Sequence, residues 1–321
     1  MKPVFNNNTY RELKKSWFDS SDSILCHSSG STGIPKRIYI PKKEMTASAL
    51  RTCEFFNINA SSHLHSCISP DYIGGKMMLI RSIVSGANFT YEPPSSRPLG
   101  DIQDDYIDLV SVVPTQMIHI LEHPEIWNSI GNYLIGGAAI HPNIRKNIID
   151  KGIKAFESYG MTETASHIAL REVKDGEDWF RTLPGISVFP HTENRLGIRI
   201  EGWKDFLTND IAEINSENSF RILGRADNVI NTGGKKVFPE SIEQKLNAYL
   251  DFSFYITSRQ DEKWGESVVL VTTPWNIENV SEEKIFEICR ATLVPWEVPK
   301  EIIRVEHFEL TGNGKIKRDK F

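Results

Sequence analysis

The chain has 321 residues, of which 40% are hydrophobic and 25% charged, and this length and composition are typical of a globular protein with about two domains. The formal net charge of −5 excludes a general nucleic-acid-binding surface, since Lys42-Lys43 and Lys235-Lys236 are only small basic pairs. No apolar run is long enough to cross a membrane, and the N-terminus has no apolar signal core.

The first distinctive segment is the loop at residues 28–36, S-S-G-S-T-G-I-P-K. Its glycines let backbone N–H groups approach an anion, and its hydroxyls and Lys36 add further donors, which favours a phosphate-binding loop. The spacing departs from the usual nucleotide-binding loop, because Arg37 stands where that pattern requires Ser or Thr. From these residues alone, a polar hairpin turn between two strands is equally good.

Helical and strand patterns alternate over the first half of the chain. Helices are predicted at 42–57, 75–85, 115–122 and 141–151. Short apolar runs between them predict strands at 63–70, 87–93, 108–114, 132–140 and 154–160. This alternation predicts an α/β fold with a sheet and crossover helices. From about residue 185, short strands separated by turns predict a small β-rich subdomain.

The C-terminal part is predicted to form a small α+β lobe. Its helices are predicted at 239–249 and 281–292, and its strands at 251–258, 266–274 and 301–308. About 90 residues are enough for an independent lobe. The predicted organisation is therefore a large N-terminal α/β lobe at 1–225, with the β-rich subdomain inside it, and a C-terminal lobe at 226–321.

Cysteine and histidine spacing gives no metal motif. The four cysteines (Cys26, Cys53, Cys67 and Cys289) lack paired spacing, so we predict reduced thiols and a cytoplasmic protein. Five histidines lack metal-ligand spacing, and a structural role is the more common one for them: His63, His65, His119, His167 and His191. Of these five, only His167, four residues after Glu163, is close enough in sequence to the predicted reaction centre to be a site candidate.

The most specific pattern is Y-G-M-T-E-T within residues 157–169. Placed after a phosphate-loop candidate, it resembles the adenylate-forming acyl-CoA ligase superfamily. Five further segments resemble that family in the same order, at 28–36, 136–140, 207–214, 224–243 and 311–318. The motifs S-V-V-P-T-Q-M, L-I-G-G-A-A-I and S-Y-G-M-T-E-T-A-S are most similar to its o-succinylbenzoate-CoA ligase branch. Only 27 residues precede Ser28, so the sequence resembles a short, N-terminally reduced version.

The resemblance implies a two-step reaction that uses ATP, Mg²⁺ and CoA. A carboxylate attacks the α-phosphorus of ATP to give acyl-AMP and pyrophosphate, and the CoA thiol then displaces AMP. The implied acid is o-succinylbenzoate, in menaquinone biosynthesis. Three alternatives stay open: another small aryl or acyl acid, an adenylation domain that loads a carrier protein, and a non-catalytic nucleotide-binding remnant. The partners implied are small molecules, and the sequence leaves the oligomeric state open.

The ATP site implied by the resemblance draws on most of these motifs. Residues 28–36 would hold the β- and γ-phosphates, Tyr159 would stack on adenine, and Asp210 and Arg225 would bind ribose. Because Asn209 stands where the family has glycine, and Asn tolerates a left-handed backbone, we expect a turn there. The full set is Ser28, Ser29, Gly30, Ser31, Thr32, Gly33, Lys36, Gly137, Ala138, Tyr159, Gly160, Asp210 and Arg225.

The remaining roles also follow from the resemblance. The catalytic residues would be Lys315, Thr162 and Glu163, with Glu163 also the Mg²⁺ ligand. Asp227 would be the hinge, and Gly233, Gly234 and Lys235 would bind CoA. The acyl substrate would contact Tyr72, Gly75, Lys76, Arg81 and His167, with Arg81 or Lys76 binding a second carboxylate. Ordinary structural roles stay open for several of them: a helix-capping Thr162-Glu163 pair, a core Tyr159 and a solvated Lys235-Lys236 pair.

Overall fold

The structure is a computed structural model that describes residues 8–27, 36–100, 106–274, 280–309, 316–318 and 320–321. Within these ranges the helices α1 to α8 are Asn8–Phe18, Lys42–Phe56, Ile73–Ser85, Pro114–Glu122, Pro124–Trp127, Pro142–Asp150, Pro239–Leu246 and Glu282–Thr292. The strands β1 to β18 are Ser23–His27, Arg37–Pro41, His63–Ser66, Asn88–Tyr91, Leu109–Val112, Tyr133–Ile135, Ala155–Met161, Ser166–Glu172, Phe180–Thr182, Ile186–Pro190, Arg195–Ile200, Asp205–Ser216, Ser219–Arg225, Ile230–Thr232, Lys235–Val237, Phe254–Asp261, Gly265–Thr272 and Glu301–Arg304.

The predicted α/β fold is confirmed. Strands β4, β3, β5, β6 and β7 lie side by side in that order and pair in parallel. All four residues of β5 are buried, as expected for a strand that helices cover on both faces. The core on one face joins Val110 and Val112 of β5 to Met117 and Ile120 of α4. The carboxyl ends of these strands carry several of the predicted site residues.

The strands predicted as a β-rich subdomain continue this sheet beyond β7. Strand β8 pairs antiparallel with β7, and the order continues through β9, β13, β12 and β11 to β10. Two compact units divide the chain: Met1–Val188, Ile198–Phe206 and Ser216–Phe220 form the first, and Phe189–Gly197, Leu207–Asn215 and Arg221–Phe321 form the second. Strands β10 to β13 contribute residues to both units. The predicted division after residue 225 stays a prediction.

The C-terminal part of the second unit has its own small sheet. Its strands follow the order β15, β14, β17 and β16, and β18 pairs in parallel with β17. Helices α7 and α8 cover a core that includes Ile256, Leu270 and Ile285. Arg318 forms a salt bridge with Glu243 of α7, with Nη2 2.7 Å from Oε2, and its Nη1 donates to the carbonyl oxygen of Ile256 in β16. These contacts hold Arg318 against both the helix and the sheet.

None of the helices in the described ranges has the length and apolar character needed to cross a membrane. All four cysteines are buried and unpaired. The loop at residues 28–36 connects the antiparallel strands β1 and β2, in which Cys26 lies opposite Ile38. Residues 28–35 lie outside the described ranges, so these flanking strands fit both a phosphate loop and a hairpin turn.

Candidate active site

Two predicted acyl-site residues, Arg81 and His167, meet inside the first unit. Arg81 lies on α3 and is 1% exposed, and His167 lies on β8 and is 5% exposed. Arg81 Nη2 is 3.3 Å from His167 Nδ1 and 3.3 Å from Ser166 Oγ. Thr52 of α2 completes the group, since its Oγ1 lies 3.1 Å from His167 Nε2. We call Thr52, Arg81, Ser166 and His167 the acyl cluster.

Hydrogen bonding in the acyl cluster sets the tautomer of His167. The Thr52 hydroxyl donates to the carbonyl oxygen of Ser48, so its oxygen is left to accept from His167 Nε2–H. Nδ1 then carries the lone pair that accepts from Arg81. Burial, and second the charge of Arg81, hold the pKa of His167 well below its usual value, so the ring is neutral. Burial lowers the pKa of Arg81 to about 10, and the guanidinium stays charged at neutral pH.

The Y-G-M-T-E-T segment forms a strained turn between β7 and β8. Ala165 and Ser166 have φ values of 55° and 104°, a left-handed backbone that costs energy in residues other than glycine. Thr164 holds the turn, because its hydroxyl donates to the backbone of Ser166 and accepts from the N–H of Met161. Strain of this kind is concentrated at functional sites, where it fixes side-chain direction.

Thr162 and Glu163, both predicted to be catalytic, lie in this turn within a short 3₁₀ helix, Thr162–Thr164. Thr162 is buried and its hydroxyl is 3.4 Å from the carbonyl oxygen of His27, the last described residue before the phosphate-loop candidate. Glu163 is half-buried. A half-buried carboxylate at the end of a strand has the oxygen ligands and the solvent access that Mg²⁺ prefers.

Tyr159 and Gly160 precede the turn on β7. Tyr159 is half-buried and packs against Phe220 and Phe180, with ring centroids 5.2 Å and 5.9 Å away. Tyr159 therefore packs in the core, which is the structural role given above as an alternative to stacking on adenine. Part of its ring is nevertheless accessible. A side chain on Gly160 would come within 2.3 Å of the Ser166 carbonyl oxygen, so only glycine allows β7 and β8 to approach here.

The adenine-side segment follows β6. Gly137 has a φ of 91°, and Gly137 and Ala138 are both exposed. The chain therefore presents free backbone at the carboxyl end of a parallel strand, where α/β sheets commonly bind ligands.

The other predicted acyl residues lie at the start of α3. Tyr72 is 51% exposed at the N-terminal end of the helix. A side chain on Gly75 would come within 2.3 Å of the Ser69 carbonyl oxygen, so this glycine allows α3 to lie against the preceding loop. Lys76 is half-buried, and burial lowers its pKa. Within the described part of the chain, Lys76 forms no hydrogen bond with the acyl cluster, whereas Arg81 is part of it.

Asp210 and Arg225, predicted to bind ribose, form an ion pair in the second unit. Arg225 Nη1 is 3.2 Å from Asp210 Oδ1, and Nη2 is 3.0 Å from Asp227 Oδ2. Asn209 Nδ2 is 3.4 Å from the same oxygen of Asp227. We call Asn209, Asp210, Arg225 and Asp227 the ribose cluster. The expected turn at Asn209 is wrong, because the residue lies in β12 without a left-handed backbone; strand pairing extends through this position.

The predicted CoA residues form a two-residue hairpin between β14 and β15. Gly233 and Gly234 have φ values of 55° and 75°, as a type I′ turn requires, so the hairpin alone explains both glycines. Lys235 is exposed, with Nζ 5.5 Å from the ring centroid of Trp296. The hinge residue Asp227 lies in a 3₁₀ helix, Ala226–Asn228. The CoA and hinge roles stay predictions.

Part of the predicted site lies outside the described residues: Ser28, Ser29, Gly30, Ser31, Thr32, Gly33 and Lys315. Lys36 is described and exposed at the start of β2. Sequence reasoning missed Thr52 and Ser166, and it gave Asn209 a turn rather than a contact with Asp227. No sequence pattern around Thr52 indicates a site residue. Ser166, in contrast, ends the motif S-Y-G-M-T-E-T-A-S and precedes His167, so its position in the motif could have identified it.

The parallel sheet, the turn after β7 and the Asp–Arg pair agree with the adenylate-forming fold that the motifs predicted. Residues 4–196 match the family described as AMP-binding enzyme, and residues 254–315 match the AMP-binding enzyme C-terminal domain. The chain therefore belongs to the AMP-binding enzyme family, and it is an enzyme of the acid–CoA ligase class.

Relatives with named activities cover almost the whole chain. It is 26% identical to the 2-succinylbenzoate–CoA ligase of Listeria innocua, over 96% of this chain and 71% of that protein. It is 22% identical to the indoleacetate–CoA ligase of Aromatoleum aromaticum, over 92% and 66%.

Solved structures share the fold. An acyl-CoA synthetase (AMP-forming)/AMP-acid ligase II-like protein from Dyadobacter fermentans matches with a TM-score of 0.64 at 30% identity, over 97% of this chain and 91% of that one. The o-succinylbenzoate CoA synthetase of Bacillus subtilis, in complex with its acyl-adenylate intermediate, matches with a TM-score of 0.78 at 20% identity, over 91% and 67%.

Proposed function

We propose that this enzyme activates o-succinylbenzoate, first as the acyl adenylate and then as the CoA thioester, a reaction of menaquinone biosynthesis. The observation that supports this substrate is the state of Arg81. Its guanidinium is buried, it contacts only the neutral groups of Met78, Ser166 and His167, and its Nε has no hydrogen-bond partner among the described residues. No carboxylate in the described ranges forms an ion pair with it.

A buried cation without a counterion is costly for a folded protein, because the charge loses its hydration and gains no Coulomb partner. Such a group is retained where a ligand supplies the opposite charge. o-Succinylbenzoate has two carboxylates, of which one reacts with ATP and the other can pair with Arg81. An acid with a single carboxylate would leave the guanidinium unpaired. The charge of the cluster therefore favours a dicarboxylic acid over a simple aryl or acyl acid.

The remaining roles follow the family pattern. Tyr159, Gly137 and Ala138 bind adenine, and Asp210 accepts from the ribose hydroxyls beside Arg225. Thr162 binds the α-phosphate and Lys315 neutralises the charge that grows during adenylation. Glu163 would hold Mg²⁺, and the ion would supply charge neutralisation on the phosphates.

The test is a panel of carboxylic acids assayed for pyrophosphate release with and without CoA. The panel includes o-succinylbenzoate, the analogue without the succinyl carboxylate, indoleacetate, acetate and a long-chain fatty acid. We expect o-succinylbenzoate to give the highest kcat/KM, and the thioester to form with free CoA. A tenfold preference for any monocarboxylic acid would contradict the proposed substrate, and a requirement for a carrier protein would contradict the thiol acceptor.

A further inference from the structure

A second polar group lies in the first unit, on the face of the parallel sheet covered by α4. His65 lies in β3 and Cys67 directly follows its last residue, so the alternation of side chains along the chain directs both toward the same face. In the parallel register His65 lies opposite Thr90 and Ser66 lies opposite Tyr91, and Cys67 and Glu92 directly follow this last pair. Register, rather than local spacing, brings the three residues together.

The ligand-type atoms of this group are close together. One atom each from His65, Cys67 and Glu92 lies within 4.8 Å of the others. His65 is 5% exposed and Cys67 is 1% exposed, whereas Glu92 is half-buried and gives the group a side nearer to solvent. We call these three residues the β3–β4 triad. None of them has a role in the adenylation chemistry described above.

An unpartnered nitrogen lies in this triad. His65 Nδ1 is 2.8 Å from Thr90 Oγ1, but Nε2 is buried and has no hydrogen-bond partner among the described residues. The Thr90 oxygen is also 2.7 Å from His63 Nε2, so its hydroxyl can donate to His63 while it accepts Nδ1–H from His65. The buried His65 Nε2 then carries a lone pair that no described residue uses.

These contacts have the form of a metal-ligand shell. A metal-binding histidine usually donates its other ring N–H to an oxygen, which fixes the ring, and here Thr90 accepts it. A metal-binding carboxylate is usually held by hydrogen bonds, and Glu92 accepts from the Leu99 N–H at 2.9 Å and 3.1 Å. The Tyr133 hydroxyl, in the same core cluster as Cys67, is a second buried polar atom without a described partner.

We propose that the β3–β4 triad is a binding site for one Zn²⁺ ion, separate from the Mg²⁺–ATP site. His65 Nε2, the Cys67 thiolate and one Glu92 oxygen are the protein ligands. Nitrogen, sulfur and carboxylate oxygen together suit Zn²⁺ and exclude Mg²⁺, which takes oxygen ligands. Binding releases the thiol proton to solvent and changes no oxidation state. The ion ties the carboxyl ends of β3 and β4 together and so supports the loop that leads to α3.

The test uses Co²⁺ as a spectroscopic probe of the full chain, after chelator treatment and in a phosphine reductant. We expect one equivalent of Co²⁺ to produce a thiolate-to-cobalt charge-transfer band and visible bands of a tetrahedral ion, and Zn²⁺ to displace both. The Cys67→Ala variant should lose the charge-transfer band. The matched control is Cys289→Ala, which removes an equally buried cysteine of the C-terminal lobe and should keep the full spectrum.

Two further measurements keep the test decisive if Cys67→Ala does not fold. The His65→Gln variant should bind Co²⁺ at least tenfold more weakly, and saturating Zn²⁺ should raise the Tm of the wild type and of Cys289→Ala. A wild-type chain that shows no charge-transfer band overturns the proposal whatever the variants do. A band that persists in a folded Cys67→Ala variant overturns it as well. Cobalt bound only by ATP-site oxygens gives no thiolate band, and this outcome also counts against the triad.

Discussion

The acyl cluster and the ribose cluster each contain one arginine, but in opposite electrostatic settings. Arg81 is 1% exposed, and its hydrogen-bond partners among the described residues are all neutral groups. The Arg225 side chain is 35% exposed and pairs with the carboxylates of Asp210 and Asp227. Within the described residues, no carboxylate pairs with the Arg81 guanidinium, whereas two carboxylates pair with that of Arg225.

This difference separates two ways of building a polar site. A compensated pair near the surface is stable without a ligand, and its contribution is small because water screens it. A buried and uncompensated cation lowers stability until an anion arrives, so it favours a charged ligand strongly over a neutral one. Under the proposed function, the acyl cluster would select the acid, whereas the ribose cluster would orient the ribose of ATP, which is the same for every acid.

The largest expected effect is that of Arg81→Met, which removes the charge and keeps most of the volume. Truncating one partner of a buried charge pair costs about 2–5 kcal/mol, so kcat/KM for o-succinylbenzoate should fall by a factor on the order of 30 or more. The analogue without the second carboxylate should be affected far less. Steady-state kinetics on both acids, with Arg51→Met on the neighbouring helix as the control, measure this.

The same variant tests stability in the opposite direction. Because the buried charge has no carboxylate partner, a well-packed apolar replacement is expected to leave the Tm unchanged or to raise it. Equal losses on both acids, together with a lower Tm, would show that Arg81 has a structural role and would remove the contrast between the two clusters.

The second effect is that of Asp210→Ala in the ribose cluster. Losing the hydrogen bonds of a charged acceptor costs about 1.5–3 kcal/mol, so KM for ATP should rise roughly 10- to 100-fold while acid selectivity stays constant. Asp205→Ala is the matched control, since Asp205 lies on the same strand and pairs with Arg199 at the surface. A change in acid selectivity in Asp210→Ala would mean that the clusters do not have separate roles.

The third effect is a pH dependence of stability from His167. The pKa of His167 in the folded state lies well below its unfolded value, so the unfolded chain binds more protons below about pH 6.5. The contribution of His167 to the free energy of unfolding is therefore fully present above that pH and is lost as the pH falls. The loss is at most about 1.4 kcal/mol per pH unit. Urea unfolding between pH 7.5 and 5 should show this slope in the wild type and a shallower one in His167→Asn. Identical slopes would place the ring in water rather than in the acyl cluster.

The smallest effect is that of Asp227→Asn. This carboxylate is 61% exposed, and Arg225 keeps Asp210 as a partner after the change. The free energy of unfolding should fall by about 0.2–1 kcal/mol, and the difference should disappear at high salt. Urea titrations at low and high ionic strength measure it. A loss of stability that persists at high salt would show that water and salt do not screen this ion pair, and the contrast between a surface and a buried cluster would then not hold.

Local patterns predicted the elements well where the periodicity was strong. The helix predicted at 42–57 is Lys42–Phe56, and the one at 141–151 is Pro142–Asp150. Helix α1 was missed because Asn8–Phe18 is mostly polar, and it is held by tertiary contacts such as the Tyr10 hydroxyl with the Ile68 carbonyl oxygen. The sequence also predicted short strands from about residue 185. It could not predict that these strands continue the large sheet, because their pairing partners are far apart in the chain.

Sequence by itself determined the family, the order of its motifs and the α/β class, because each rests on residues that are neighbours in the chain. Only the tertiary structure decided which side chains meet. Arg81 and His167 are 86 residues apart, and the packing of α3 against β8 places Arg81 Nη2 3.3 Å from His167 Nδ1. The β3–β4 triad arose in the same way: His65 and Cys67 gave no metal motif until the parallel register set Glu92 beside them. Periodicity is local, whereas a site forms where the sheet brings distant segments together.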